Sequence, residues 1–96
     1  MIGTWGWSAD SCARPDDDGR VIITARSVQF YVSLYELQEI VLQPDGTVQA
    51  NARYREEGEE GTSRAVIRLK LVTPDRLMVQ TDSNGGQEYV RCRSPN

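Results

Sequence analysis

The sequence predicts an all-β fold: a small antiparallel meander closing into a barrel of seven or eight strands, stapled by one disulfide. Three observations lead there: a bias toward β-branched residues, a period-two alternation through the second half, and strong turn signals between the alternating runs. Val and Ile (9 and 5) outnumber Leu and Ala (6 and 6), and branching at Cβ suits a pleated surface while crowding a helix. With 96 residues the chain has room for a single domain over 1–96 and one core.

In the second half, Thr47–Glu56 sets Val48, Ala50, Ala52 and Tyr54 against Gln49, Asn51, Arg53 and Arg55. That is the period of a half-buried strand. Ser63–Val72 places Ala65, Ile67, Leu69 and Leu71 on one face, Arg76–Thr81 does the same with Leu77 and Val79, and Gln87–Arg93 alternates again. Pro44-Asp45-Gly46, Thr73-Pro74-Asp75 and Ser83-Asn84-Gly85-Gly86 supply the fixed and positive φ values that tight turns need. Glu57–Thr62 is a longer polar connection.

The first half is less regular. Thr4–Ser8 and Val21–Thr24 read as strands separated by a loop, Asp10–Gly19. Ser33-x-x-Glu36 matches a helix capping box, and Leu34, Leu37 and Val41 sit at helical spacing. Read instead as a strand from Val28, the segment puts Val28, Phe30, Val32 and Leu34 on one face. The strand is preferred, because meanders pair sequential segments. Closure of so many short strands removes exposed edges.

Cys12 and Cys92 lie near opposite ends of a small chain and read as one bridge, the alternative being two buried thiols. Closing a loop of that length stabilises by about 4–5 kcal/mol in the chain-entropy picture. A bridge implies an oxidising compartment, yet Met1-Ile2-Gly3 shows neither a basic nor an apolar leader segment. Export to the periplasm or medium with the signal peptide removed is preferred over a cytosolic protein with free thiols.

Several chemistries are set aside. There is no histidine, which excludes Ser-His-Asp and Cys-His catalysis and the commonest zinc ligands. No phosphate-binding glycine loop is present. Carboxylates are plentiful, but a glycosidase pair must flank a cleft, and a barrel this small offers little. Asp16-Asp17-Asp18-Gly19 lacks the alternating spacing of a calcium loop and reads as a solvated turn. Neither enzyme, metal nor cofactor is expected. A net charge of -3 disfavours nucleic acid, and a mean hydropathy of -0.52 with no spanning-length apolar run disfavours membrane insertion.

Gly3-Thr4-Trp5 in the first strand and Tyr89-Val90-Arg91-Cys92 at the end resemble the calycin superfamily of lipocalin-like barrels. The resemblance implies that Trp5 closes the barrel floor, with Arg91 or Arg93 packed across its indole as a cation–π contact. Trp5 paired with a first Cys and a terminal Tyr-x-Arg-Cys is also similar to small secreted bacterial proteins of uncharacterised function. Those often carry a second, inner cysteine pair, which this chain lacks.

What remains is a binding module of the cell envelope, an inhibitor or adaptor presenting loops to a protein partner. The alternative is a lipocalin-like carrier of a small apolar ligand, although bulky inward residues favour a filled core. The densest charge run, Glu56, Glu57, Glu59 and Glu60, reads first as a flexible, self-repelling hairpin tip that aids solubility, and alternatively as an interaction tip aimed at a basic partner. Trp7, Tyr31 and Tyr35 are the aromatic candidates for its anchor, with core packing the simpler reading. A monomer or weak homodimer is expected.

Overall fold

The computed structural model describes residues 1–14, 18–82 and 84–92. Their order is β1 (Gly3–Gly6), α1 (Ala9–Ala13), β2 (Arg20–Ile23), β3 (Ser27–Gln29), β4 (Ser33–Leu42), β5 (Val48–Glu56), β6 (Ser63–Thr73), β7 (Arg76–Thr81) and β8 (Asn84–Arg91). Each strand pairs antiparallel with its sequence neighbours, and β1 closes the barrel on β8 through Trp5↔Arg91 and Gly6↔Val90. The all-β barrel and its Cys12–Cys92 bridge are therefore as the sequence predicts.

Alternation decides what fills the interior. Ala50 and Ala52 of β5, Ile67 and Leu69 of β6, and Leu77 and Val79 of β7 are buried in one cluster with Trp5, Val21, Val28 and Tyr89. Trp5, Ile67, Leu77, Val21 and Val28 are essentially inaccessible, so the middle of the barrel is solid. The turns at 24–26, 44–46 and 74–75 gather at one end with the chain start. This end is the floor. The connections at 30–32 and 57–62 gather at the other, the mouth, where β7 ends and β8 begins.

Three features depart from the sequence reading. First, the stretch after β1 is not all loop. Ser8 caps α1, its side-chain oxygen accepting from the Ser11 N–H at 3.4 Å, and Asp10 sits favourably in the first turn. The helix stops at Arg14, whose successor Pro15 disfavours helical backbone before it. Trp5 faces the core, so Gly6 faces outward, and α1 packs there. A Cβ on Gly6 would lie 3.1 Å from both Cys12 Sγ and the Ser11 Cβ. Asp16 and Asp17 of the acidic turn lie outside the described residues.

Second, Val28 to Leu34 is not one strand. A turn at Phe30–Val32 separates β3 from β4, held by a Phe30 N–H bond to the Ser33 carbonyl at 2.8 Å. No glycine or proline marks that turn in the sequence. Residues 33–42 are nonetheless strand rather than helix.

Third, closure does not cover every edge. β3 pairs with β4 only through Leu34, Tyr35 and Glu36, and the rest of β4, past a register shift at Leu37/Glu39, pairs with β5 alone. Ile40, Val41 and Leu42 are consequently exposed, Leu42 by 72%. A short β3 leaves a long β4 without a neighbour on that side.

Candidate functional site

The barrel floor is built around Trp5. It is 0% exposed, and its indole N–H donates to the Met1 carbonyl at 2.9 Å. The Arg91 guanidinium lies 4.4 Å from its ring centroid. That guanidinium is itself held, with Nε and Nη2 donating to the Pro74 carbonyl at 3.2 and 3.1 Å and Asp75 at 3.7 Å. Arg93, the other residue considered for this position, lies outside the described residues. Cys92 continues from Arg91 and reaches Cys12 across the outer surface, with a Cα–Cα distance of 5.2 Å. These groups satisfy one another, and the floor is a closure rather than a site.

The mouth differs. Outside the wall, a groove of about 470 Å³ runs between the 30–32 turn and the tip after β5, lined by Tyr31, Val32, Leu34, Arg55, Glu56, Glu57 and Glu59 among others. The Glu57 N–H donates to the Val32 carbonyl at 2.6 Å, which fastens the acidic tip to the aromatic turn. Tyr31 is 56% exposed and Val32 is also exposed. Sequence separation hides this juxtaposition: 31 and 57 meet because β4 and β5 pair Ser33 with Glu56.

Two of the tip carboxyls, Glu56 and Glu59, act on each other. The Glu59 carboxyl hydrogen-bonds that of Glu56, which pushes its pKa up, and the Glu56 charge adds to the rise. Glu56 also accepts from the Tyr54 hydroxyl at 3.1 Å. Glu60 is exposed and is not part of the groove wall.

Inside the rim is a hollow of about 210 Å³ lined by Phe30, Ser33, Tyr35, Tyr54, Val79, Thr81, Gln87 and Tyr89. Phe30 meets Tyr35 edge-on at 5.6 Å, and Tyr35 lies 4.9 Å from Tyr54. Burial pushes the Tyr35 hydroxyl up, its hydrogen bond with Thr81 works the other way, and the nearby carboxylates of Asp82 and Glu56 add to the rise. Burial likewise raises Tyr89, against a lowering by its hydrogen bond with the Trp7 side chain.

The three candidate aromatics therefore separate. Tyr31 stands in the groove. Tyr35 is 7% exposed, because the inward phase of β4 turns its ring into the wall of the hollow. Trp7 is 50% exposed but lies against Gly19 and Tyr89, away from the tip. A Cβ on Gly19 would come within 2.7 Å of the Trp7 ring. Tyr54 shares the apolar face of its strand pattern with Val48, Ala50 and Ala52, and its meeting with Tyr89 at the rim depends on barrel closure.

Comparison with protein-family models, curated proteins and solved structures finds no match to this chain. Among the described residues no three His, Cys, Asp or Glu side chains group as a metal site, and no helix is long and apolar enough to cross a membrane.

Proposed function

We propose that this protein is a binding module of the cell envelope whose mouth-end groove docks a basic segment of a partner protein. The observation carrying this reading is the fastening of the Glu56–Glu59 tip to Tyr31 and Val32 through the Glu57–Val32 backbone bond. An exposed aromatic and an exposed aliphatic side chain beside carboxylates form a small anchor with a charged rim. Aromatic anchors supply much of the contact energy at interfaces, and rim charge mainly speeds and orients encounter. The solid middle of the barrel weighs against a lipocalin-like carrier of an apolar ligand, since the hollow at the rim is smaller than the roughly 300 Å³ from which ligand pockets usually begin. The closed barrel with Arg91 over Trp5 supports the likeness to calycins, as architecture without an activity. The bridge between Cys12 and Cys92 fits an oxidising compartment and supports a periplasmic or secreted protein.

The test is a titration with a synthetic peptide alternating arginine and leucine, followed by backbone amide shifts at low and moderate salt. Movement should concentrate at residues 31–34 and 55–59, weaken with salt, and fall sharply in Tyr31→Ala. A variant with Glu56, Glu57, Glu59 and Glu60 all changed to Gln should lose both affinity and salt dependence. Equal binding by wild type and that variant at both salt levels would refute the reading.

A further inference from the structure

We propose that the hollow inside the rim is an aromatic box for an alkylammonium group. Its walls are four aromatic rings, Phe30, Tyr35, Tyr54 and Tyr89, with Ser33, Thr81 and Gln87 as neutral polar groups and Val79 as the remaining wall. No lysine or arginine is among them. Aromatic faces attract cations through the ring quadrupole, and the attraction grows as water is excluded. Two carboxylates of the matching sign act on these rings. Glu56 accepts a hydrogen bond from Tyr54, and both Glu56 and Asp82 act electrostatically on the Tyr35 hydroxyl.

Size agrees with the chemistry. A cavity of about 150 Å³ is enough for a benzene-sized molecule, so about 210 Å³ accommodates a methylated or primary ammonium head with part of its stem. A neutral apolar guest of that shape would leave Ser33, Thr81 and Gln87 without water while gaining nothing from the carboxylates. A carboxylate or phosphate would meet Glu56 and Asp82 with like charge. The ammonium is the class that all the lining groups tolerate and several attract.

The box stands on the hollow alone. It deepens the docking reading, and rests on it, only where the ammonium belongs to a partner's lysine side chain, since Phe30 and Ser33 line both the hollow and the groove. A free small cation would need no docking.

The experiment titrates the protein with choline and with 3,3-dimethyl-1-butanol, its uncharged carbon counterpart, and follows the ring proton resonances of Tyr35, Tyr54 and Tyr89. Choline should move these rings saturably and bind about tenfold tighter than the alcohol, the scale of a partly desolvated cation–π contact. Tyr54→Leu removes a half-buried wall and Glu56→Gln removes the rim charge, and each should weaken choline several-fold with the amide spectrum otherwise retained. A second arm compares choline with capped trimethyl-lysine and capped lysine. Tighter capped forms assign the ammonium to a partner's side chain, and tighter choline assigns it to a free molecule. Equal binding of choline and the alcohol, or no saturable movement with any ammonium probe, overturns the box. If the arginine–leucine peptide still shifts 31–34 and 55–59 in that case, docking survives and only the box is lost.

Discussion

The two ends of this barrel are closed by different means. At the floor, one large side chain is used fully: Trp5 is buried, hydrogen-bonded to Met1 and covered by Arg91, which is in turn held by Pro74 and Asp75. At the mouth, three tyrosines share the space with hydroxyl, amide and carboxylate groups, and a hollow remains. The floor removes polar groups from consideration by pairing them. The mouth keeps them within reach of a guest. An end that is filled and satisfied contributes stability, whereas one left open and polar can contribute recognition, at some cost in packing.

The bridge offers the largest effect with which to break that contrast. It joins α1 to the end of β8 across the β1–β8 seam, with a sequence separation of 80. Replacing Cys12 and Cys92 together by alanine should cost about 2–5 kcal/mol in denaturant unfolding. Mass analysis after alkylation without reductant should find no free thiol. Quantitative labelling of both cysteines in folded protein would remove the covalent half of the closure and the argument for export.

Next in size is the ranking of the two tryptophans. Trp5→Ala opens a cavity beneath Arg91 and should cost about 3–5 kcal/mol. Trp7→Ala, at a half-exposed position, should cost clearly less. Urea unfolding of both variants decides it, and the reverse order would mean that the mouth rather than the floor holds the barrel shut.

The smallest expected effect sharpens the floor. Asp45 in the β4–β5 turn accepts from the Thr47 N–H at 2.9 Å, and bonding from the Thr47 backbone and then its side chain holds its carboxyl below the ordinary value of 3.8. A carboxyl with a depressed folded pKa adds stability above its unfolded value, and that stability is lost as pH falls through the folded value. Asp45→Asn should therefore lower Tm slightly at neutral pH, with the gap closing below pH 3.8. A gap independent of pH would assign the effect to turn geometry rather than to charge.

Sequence patterning reached the strands wherever local signals agreed. β5, β6 and β7 alternate cleanly between marked turns, and their inward residues Ala50, Ile67, Leu69, Leu77 and Val79 are the core. The break between β3 and β4 escaped because Phe30–Val32 continues the apolar pattern and contains no turn former, so only pairing geometry separates the strands. Helix α1 escaped for a different reason. Its five residues are too few for periodicity, and Ser8 as a cap becomes visible only once Gly6 makes room outside the wall.

By itself the sequence determined an all-β chain with two terminal cysteines, no histidine and an acidic stretch at 56–60. Each follows from composition or from the two-residue period of a strand, which are local properties. The tertiary structure alone decided that Tyr31 shares a groove with Glu57, that Tyr35 turns inward, and that Tyr54 and Tyr89 meet around a hollow. Those facts depend on register and closure between strands far apart in the chain, and a shift of one residue in register would send the same side chains to the opposite face.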